Sequence, residues 1–443
     1  MQLSDQTISK AKMSKPCSDL EKKIRDRTAK LGVIGLGYVG LPLAIEMAKA
    51  GFQITGIDID GGRVESANSG ISYILDVPDE TLLSLVATGK FRATQSFAVV
   101  ESLDAISICV PTPLRKTKDP DLTYIIASAE AVHNHLRPGQ LIVLESTTYP
   151  GTTREVVLPI LERSGLRVGK DFFLVYSPER VDPGNKAFTT QNIPKVIGGI
   201  TPRCTEIATL LYQQFVERTV PVSSSDSAEM VKLLENTFRS VNIALANEMA
   251  LMCHKFGINA WEVIEAATTK PFGFMPFYPG PGLEGRYIPA AWKARVDGFE
   301  PRLIELAAII NSQMPAFTVS RIGDVLNKNK KSLNGSSILV LGVAYKRDTN
   351  DIRESPSLEV VKGLAEKGAN VSYSDPYVST IELNGQVVNS TPVIPRVLES
   401  MDCVVVLTDH STFDYAMVVS HSLRILDCRN ALRNIGADNV IYL

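Results

Sequence analysis

The sequence predicts an α/β protein: two doubly wound parallel-sheet domains joined by a helical middle domain. Three observations predict it. Residues 30–222 alternate apolar β-like runs with helical patterns, residues 223–328 read mostly as helix, and the alternation returns over residues 329–443. Strands that alternate with helices make a parallel sheet covered on both faces.

Taken in order, residues 1–29 read as a polar tail followed by a short charged helix. The tail has no apolar core and does not read as a secretory signal. The strands of the first domain are "LGVIGLG", "QITGIDI", "AISICVP", "LIVLEST" and "FFLVYSPE". The middle domain opens on "SAEMVKLLENTFRSVNIALANEMALMCHKFG", apolar at helical spacing and stopped at Gly257. The Pro/Gly-rich "KPFGFMPFYPGPG" interrupts, and a second long helix runs through "RLIELAAIINSQMPAFTVSRIGDVLNK". After "NKNKKSLNGSS" the strands "ILVLGVAYK", "NVSYSDP", "CVVVLTD" and "LRILDCRN" build the last domain.

Bulk chemistry excludes several classes. The formal net charge of −2, from 46 basic and 48 acidic residues, is no footprint for nucleic acid or an anionic membrane. No apolar run reaches the roughly 18 residues a spanning helix needs. The six cysteines form no CxxC pair and have no histidine at ligand spacing, so neither a metal site nor a disulfide framework is expected, and the compartment reads as cytoplasmic and reducing.

"VIGLGYVGLPLAIEMAKAGFQITGIDID" carries the strongest local signal. A β-run ends in Gly35-x-Gly37-x-x-Gly40, with Tyr38 and Val39 between the glycines; a helix follows, and a second β-run ends at Asp58. The first glycine permits the tight turn, the second admits a pyrophosphate, and the third lets helix pack on strand. The helix N-terminus offers free N–H groups and a positive dipole end. Asp58 stands where ribose hydroxyls need an acceptor and would repel a 2′-phosphate, which favours NAD over NADP; Arg63 nearby weakens that preference. The domain is therefore expected to be Rossmann-like.

"VIGLGYVGLPLA", "CVPTP", "ESTTYPGTT", "SPERVDPG", "EMVKLLENTFRSVNIALANE", "KPFGFMPFYPGPG" and "GVAYKRDTNDIRESPSLEV" occur in that order. Together they resemble the UDP-glucose/GDP-mannose dehydrogenase family over residues 30–443, and the wording around Phe274–Gly282 is similar to bacterial UDP-N-acetylhexosamine 6-dehydrogenases, which supply uronic acids for surface polysaccharides. The resemblance implies oxidation of a sugar C6 alcohol to a carboxylate with two NAD, by way of an aldehyde and a cysteine thioester. It implies a UDP-sugar substrate and a homodimer or larger assembly built through the helical middle.

Residue by residue, the resemblance implies that Glu179 handles protons, that Lys232 and Asn236 hold the C6 oxygen and its developing charge, and that Thr147 positions water. Pro111, Thr112, Thr147 and Arg353 join the NAD site. Arg180, Phe277, Tyr278, Gly280, Gly282, Lys346, Asp351 and Arg429 join the UDP-sugar site. Plainer readings stand beside these: a salt bridge for Glu179, a solvated helix face for Lys232 and Asn236, a turn hydroxyl for Thr147, a connector for Phe277–Gly282, and surface charge for Lys346, Asp351, Arg353 and Arg429.

One segment departs from the pattern. Where the family reads G-P-G-x-G-G-x-C-x-P-x-D, this chain has "GPGLEGRYIPAAWKAR". Tyr287 stands at the nucleophilic cysteine, Ala291 at the aspartate and Glu284 at the second glycine, and the segment is shorter. Tyrosine, with an ordinary pKa near 10, is a poor acyl carrier. Cys109 and Cys253 fit apolar cores better than a catalytic role. Three readings follow: a dehydrogenase whose second oxidation is lost, a silent protein that binds NAD and UDP-sugar, or a disabled copy.

Overall fold

In the computed structural model the apolar runs send alternate side chains to opposite faces of a sheet, as strands with a period of two must. The structure describes residues 15–113, 120–182, 185, 187–283 and 288–443. The chain divides into two units, Met1–Leu234 and Glu235–Leu443.

The strands of the first unit are β1 (Lys30–Ile34), β2 (Gln53–Ile57), β3 (Phe91–Thr94), β4 (Ala105–Ile108), β5 (Leu141–Leu144), β6 (Phe173–Tyr176), β7 (Lys195–Gly199) and β8 (Thr219–Pro221). They form one sheet in the order β3-β2-β1-β4-β5-β6-β7-β8. Every neighbouring pair is parallel except β6 and β7. Strand order reverses between β1 and β4, the place where a doubly wound sheet opens a crevice for a ligand.

Both faces are covered. Leu31, Val33, Leu141, Val143, Phe173 and Val175 enter one core, and Ile34, Ile142, Leu144, Leu174 and Tyr176 enter the other. Each such side chain contributes about 1.5–3 kcal/mol on burial, so register is fixed: a slip of one residue would exchange the two faces. The helix Lys15–Arg25 ends the tail, and Leu20 and Ile24, four apart on one face, are buried in the first core. Strands β3, β7 and β8 were not singled out in the sequence.

The helix Ser225–Phe256 runs from the first unit into the second. It stops at Gly257, whose φ of 69° suits a left-handed cap. Asn259 caps the next helix, Ala260–Thr268, its side chain accepting from Trp261 N at 3.0 Å. Helices Ile288–Val296 and Arg302–Asn327 complete the helical stretch.

The strands of the second unit are β9 (Ser337–Leu341), β10 (Asn370–Ser374), β11 (Thr380–Leu383), β12 (Gln386–Asn389), β13 (Cys403–Val406), β14 (Ile425–Asp427) and β15 (Val440–Tyr442). Five make an all-parallel sheet in the order β10-β9-β13-β14-β15. Strands β11 and β12 form a separate hairpin. No helix among the described residues is long and apolar enough to cross a membrane.

Candidate active site

The Gly-rich turn follows β1 directly. Gly35 has φ 89°, and its N–H donates to Ile57 O at 2.8 Å. A Cβ on Gly40 would lie 1.8 Å from Gly35 O, so the helix Gly40–Lys49 could not start as close to the turn with any other residue. A Cβ on Gly37 would meet nothing within 4 Å. The turn is thus closed behind Gly40 and open beside Gly37, the shape of a cradle for a pyrophosphate. Tyr38 and Val39 are half-buried against the core behind it. Asp58, 6 % exposed, accepts from Leu36 N at 2.8 Å and Asp60 N at 3.0 Å, which aims the carboxylate and leaves acceptor capacity for ribose hydroxyls. Arg63 NH1 lies 3.6 Å from Asp58 Oδ2 and its guanidinium sits over the Tyr73 ring, while Tyr73 OH donates to Leu36 O at 2.8 Å.

Next to the strand-order reversal, Thr112 Oγ1 donates to Thr147 O at 2.7 Å, joining "CVPTP" to "ESTT"; Pro111 is exposed beside it. Glu179, 8 % exposed, follows β6. Its Oε1 accepts from Val181 N at 2.6 Å, and its backbone carbonyl accepts from Lys232 Nζ. Arg180 NH1 donates to Pro194 O at 2.7 Å, so its guanidinium clamps the chain entering β7. Asn236 lies one helical turn beyond Lys232 and accepts from Arg239 NH2 at 3.0 Å.

A buried ion cluster stands behind Glu179. Lys195 Nζ lies 2.6 Å from Glu145 Oε2 and 3.8 Å from Glu179 Oε2, and Tyr212 OH donates to Glu145 Oε1. Burial alone would lower the lysine's pKa, but the two carboxylates outweigh it and hold the ammonium above its ordinary range. Burial and Glu145 push the Tyr212 hydroxyl and the Cys109 thiol up, so both stay protonated.

In the second unit, the Pro/Gly-rich stretch is fastened to two long helices. Gly280 N donates to Asn247 Oδ1 at 3.0 Å, Asn247 Nδ2 to Asn311 Oδ1 at 2.8 Å, and Asn311 Nδ2 to Ser240 O at 3.1 Å. Phe277 packs edge-on against Phe238, and Tyr278 stacks on Trp261 while donating to Glu265 at 3.1 Å. A Cβ on Gly280 would lie 2.9 Å from Arg429 NH1, and one on Gly282 would lie 2.8 Å from Pro356 Cβ. Gly280 and Arg429 are therefore neighbours. Arg429 Nε donates to Leu407 O at 2.7 Å, and burial lowers the guanidinium's pKa. Lys346 is half-buried on the connection after β9. Downstream, buried Asp351 takes a two-pronged grip from exposed Arg353, at 2.8 and 2.5 Å.

Three stretches match one family in order. Residues 29–216 match the NAD binding domain of the UDP-glucose/GDP-mannose dehydrogenase family, residues 226–313 its central domain, and residues 339–434 its UDP binding domain. The chain belongs to this family. It is 35 % identical over 412 residues to the UDP-N-acetyl-D-mannosamine dehydrogenase of Pyrococcus horikoshii, covering 91 % of this chain and 96 % of the relative. It is also 35 % identical over 419 residues to the UDP-N-acetyl-D-glucosamine 6-dehydrogenase of Pseudomonas aeruginosa, covering 93 % of each. Its fold matches the solved structure of the Pyrococcus horikoshii UDP-D-ManNAc dehydrogenase with a TM-score of 0.84 at 34 % identity, over 93 % of this chain and 98 % of that one. NAD is the cofactor of the family's first domain, and the open cradle with its oriented acid fits it.

Within this family frame, the segment that departs from the pattern is partly out of view. Tyr287, with Glu284 and Arg286, lies outside the described residues. Ala291, at the expected aspartate, is 6 % exposed in the helix Ile288–Val296. Cys109, Cys204, Cys253, Cys403 and Cys428 are all buried.

Sequence reasoning missed the residues that hold this machinery. Glu145 and Lys195 were visible only as charges at the ends of apolar strands. Glu229 lies one turn before Lys232 on its helix, and its buried carboxylate accepts from Gly151 N at 2.6 Å, Thr153 N at 2.9 Å and Thr153 Oγ1 at 2.7 Å. It thereby fixes the turn after Thr147. Burial dominates those three donors and pushes the carboxyl up to about 7.

Proposed function

We propose that this chain is an NAD-dependent nucleotide-sugar 6-dehydrogenase that oxidises the C6 alcohol of a UDP-N-acetylhexosamine to the aldehyde and has lost the thiol-dependent second oxidation. The observation that carries the second half is the burial of every cysteine from Cys109 onward, while Tyr287 stands where the family's nucleophile is expected. A thiol buried in an apolar core is out of a substrate's reach and is a poor nucleophile.

Bound NAD supplies a hydride acceptor. Gly35, Gly37, Gly40 and Asp58 hold it, together with Pro111, Thr112, Thr147 and Arg353. Lys232 and Asn236 hold the C6 oxygen, which becomes more negative as hydride leaves, so a cation and an amide donor there favour the transition state. Glu179 takes the proton given up by the C6 hydroxyl, through water held by Thr147. Arg180, Phe277, Tyr278, Gly280, Gly282, Lys346, Asp351 and Arg429 hold the UDP-sugar. Residues 30–222, 223–328 and 329–443 serve as the NAD, central and UDP-sugar domains. The chain works as a cytoplasmic homodimer through the central domain, in surface polysaccharide synthesis.

A second reading, a silent protein that binds both ligands, is favoured by Ala291. An aspartate there would be an essentially buried carboxylate, and its loss removes a second family feature beside the thiol. The test is NADH formed per UDP-N-acetylhexosamine, read by absorbance in the presence of an aldehyde trap. One NADH with trapped aldehyde is expected. Two NADH per sugar overturns the loss of the second step. No NADH, with NAD binding intact, selects the silent reading. Tyr287→Cys alone is expected to leave the count unchanged, because Ala291 still supplies no carboxylate.

A further inference from the structure

Arg321, on the helix Arg302–Asn327 of the second unit, is 8 % exposed and poorly matched. A guanidinium has five donors and keeps its charge, so burying one is costly unless acceptors surround it. Here NH2 reaches Tyr442 O only at 3.4 Å, NH1 lies 3.7 Å from the carboxylate of exposed Asp324, and Nε has no partner. Those distances lie at or beyond the edge of a good hydrogen bond. Arg321 lines a cavity of about 240 Å³.

The cavity is also lined by Gly257, Ile258 and Asn259, where one helix ends and the next begins. The ending helix, Ser225–Phe256, turns little negative charge toward it, because its last carbonyls are taken. His254 O accepts from Gly257 N at 3.2 Å, and Cys253 O from Ile258 N at 2.9 Å. The nine-residue helix Ala260–Thr268 starts there with its positive end. The Asn259 side chain satisfies Trp261 N at 3.0 Å, and the other N–H groups of that first turn have no partner within the helix. His254 completes the wall, its ring edge-on to Phe317. The charges acting on His254 are those of Arg321, Lys255 and Lys328, with Asp324 opposing them. Burial, and then Arg321, hold its ring below the ordinary histidine range.

A buried cation short of acceptors and an oriented helix start thus converge on one cavity. We propose that it is a binding site for a small oxyanion of the phosphate class, held by the Arg321 guanidinium and the N-terminus of the helix Ala260–Thr268. A forked guanidinium and a helix start are both suited to phosphate oxygens. The volume agrees: at about 30 Å³ per water it equals about eight waters. It falls below the roughly 300–1,000 Å³ of sites for larger organic ligands. The two helices that carry His254 and Arg321 also carry Asn247 and Asn311, whose bond fastens Gly280, so an anion here braces that pair.

The test is the ring resonance of His254 in the full-length protein, assigned by its loss in His254→Gln. Inorganic phosphate is added at constant ionic strength, with sodium chloride as the balance, to about 10 mM, where a millimolar site is filled. The wild type is expected to show a saturable shift, with the ring titrating at higher pH once the anion is bound. Arg321→Gln raises the half-saturation about tenfold or more. Asp324→Asn frees the guanidinium from its carboxylate and lowers it about two- to fivefold. That pattern supports the proposal. A resonance that stays still in the wild type, or the same half-saturation in either variant, overturns it and leaves Arg321 to the main chain at Tyr442 and Leu443. Should Arg321→Gln not fold, Asp324→Asn on the exposed side decides alone.

Discussion

The two units build the same βα turn and finish it differently. Gly35 and Gly342 both take positive φ, 89° and 79°, and both donate to the end of the next strand at 2.8 Å, to Ile57 O and Ser374 O. Each unit then places an aspartate after that strand: Asp58 accepts from Leu36 N, and Asp375 accepts from Val343 N at 2.8 Å and Ala344 N at 3.1 Å. In the first unit the next residues are Gly37 and Gly40, and the helix starts at once. In the second, Val343 and Ala344 are buried, and the helix waits until Pro356.

The acids differ most. His410, fully buried, donates from Nε2 to Asp375 Oδ2 at 3.0 Å, while its Nδ1 accepts from Asp348 N at 2.9 Å. Burial would raise the Asp375 carboxyl, but His410 and the backbone donors outweigh it and hold it below the usual range. The second unit has spent its acid on a histidine that fastens the long connection carrying Lys346, Asp351 and Arg353. The first leaves acceptor capacity on its acid, which the proposed reading assigns to a dinucleotide. The same turn organises a loop in the other unit.

The comparison can be broken most severely at His410. His410→Ala leaves the Asp375 carboxylate to its backbone donors and opens a cavity where a fully buried ring stood; it is expected to cost about 3–5 kcal/mol in urea unfolding, with UDP binding lost and NAD binding retained; loss of NAD binding alone would contradict the division of labour.

A second difference concerns Glu229, a buried carboxylate like Asp375 but with no histidine. Its folded pKa of about 7 lies above the ordinary 4.5, so its contribution to stability is present in acid and lost as pH rises from about 4.5 through 7. Wild type should lose about 3 kcal/mol against Glu229→Gln between pH 4.5 and 8; parallel stability curves for the two proteins would rule this out. Asp375 works the other way, its contribution being lost on acidification below about pH 4.

Gly40→Ala drives a Cβ into Gly35 O. The expected cost is about 1–3 kcal/mol of stability together with weaker NAD binding, whereas Ala344→Gly should leave NAD binding untouched. A Gly40→Ala protein with wild-type melting and NAD affinity would show that the turn is less tightly built than described. The smallest effect is at Asp58: Asp58→Asn keeps an acceptor but removes the charge, and should narrow the NAD-over-NADP preference by about tenfold, near 1.4 kcal/mol, in competition binding. An unchanged preference would remove Asp58 from cofactor selection.

The parallel sheets were legible because both faces are covered, so each strand reads as an apolar run. The GxGxxG and Asp58 were legible because their spacing is local. Strand β7 was not, since a short strand returning antiparallel has no sequence mark of its own, and with it went the Lys195–Glu179 pair. His410 and Asp375 lie 35 positions apart, and only the packed sheet brings them together. Asn247 and Asn311, 64 apart on two helices, read as polar positions until their bond to each other and to Gly280 is seen.

The most direct test of the contrast between the units is calorimetric titration of the full-length protein with NAD and, separately, with UDP. One NAD per chain is predicted, weakened about tenfold by Gly37→Ala, whose Cβ takes ligand space and touches nothing in the protein, while UDP binding is unchanged. Two NAD per chain, or NAD binding indifferent to Gly37→Ala, would contradict the account.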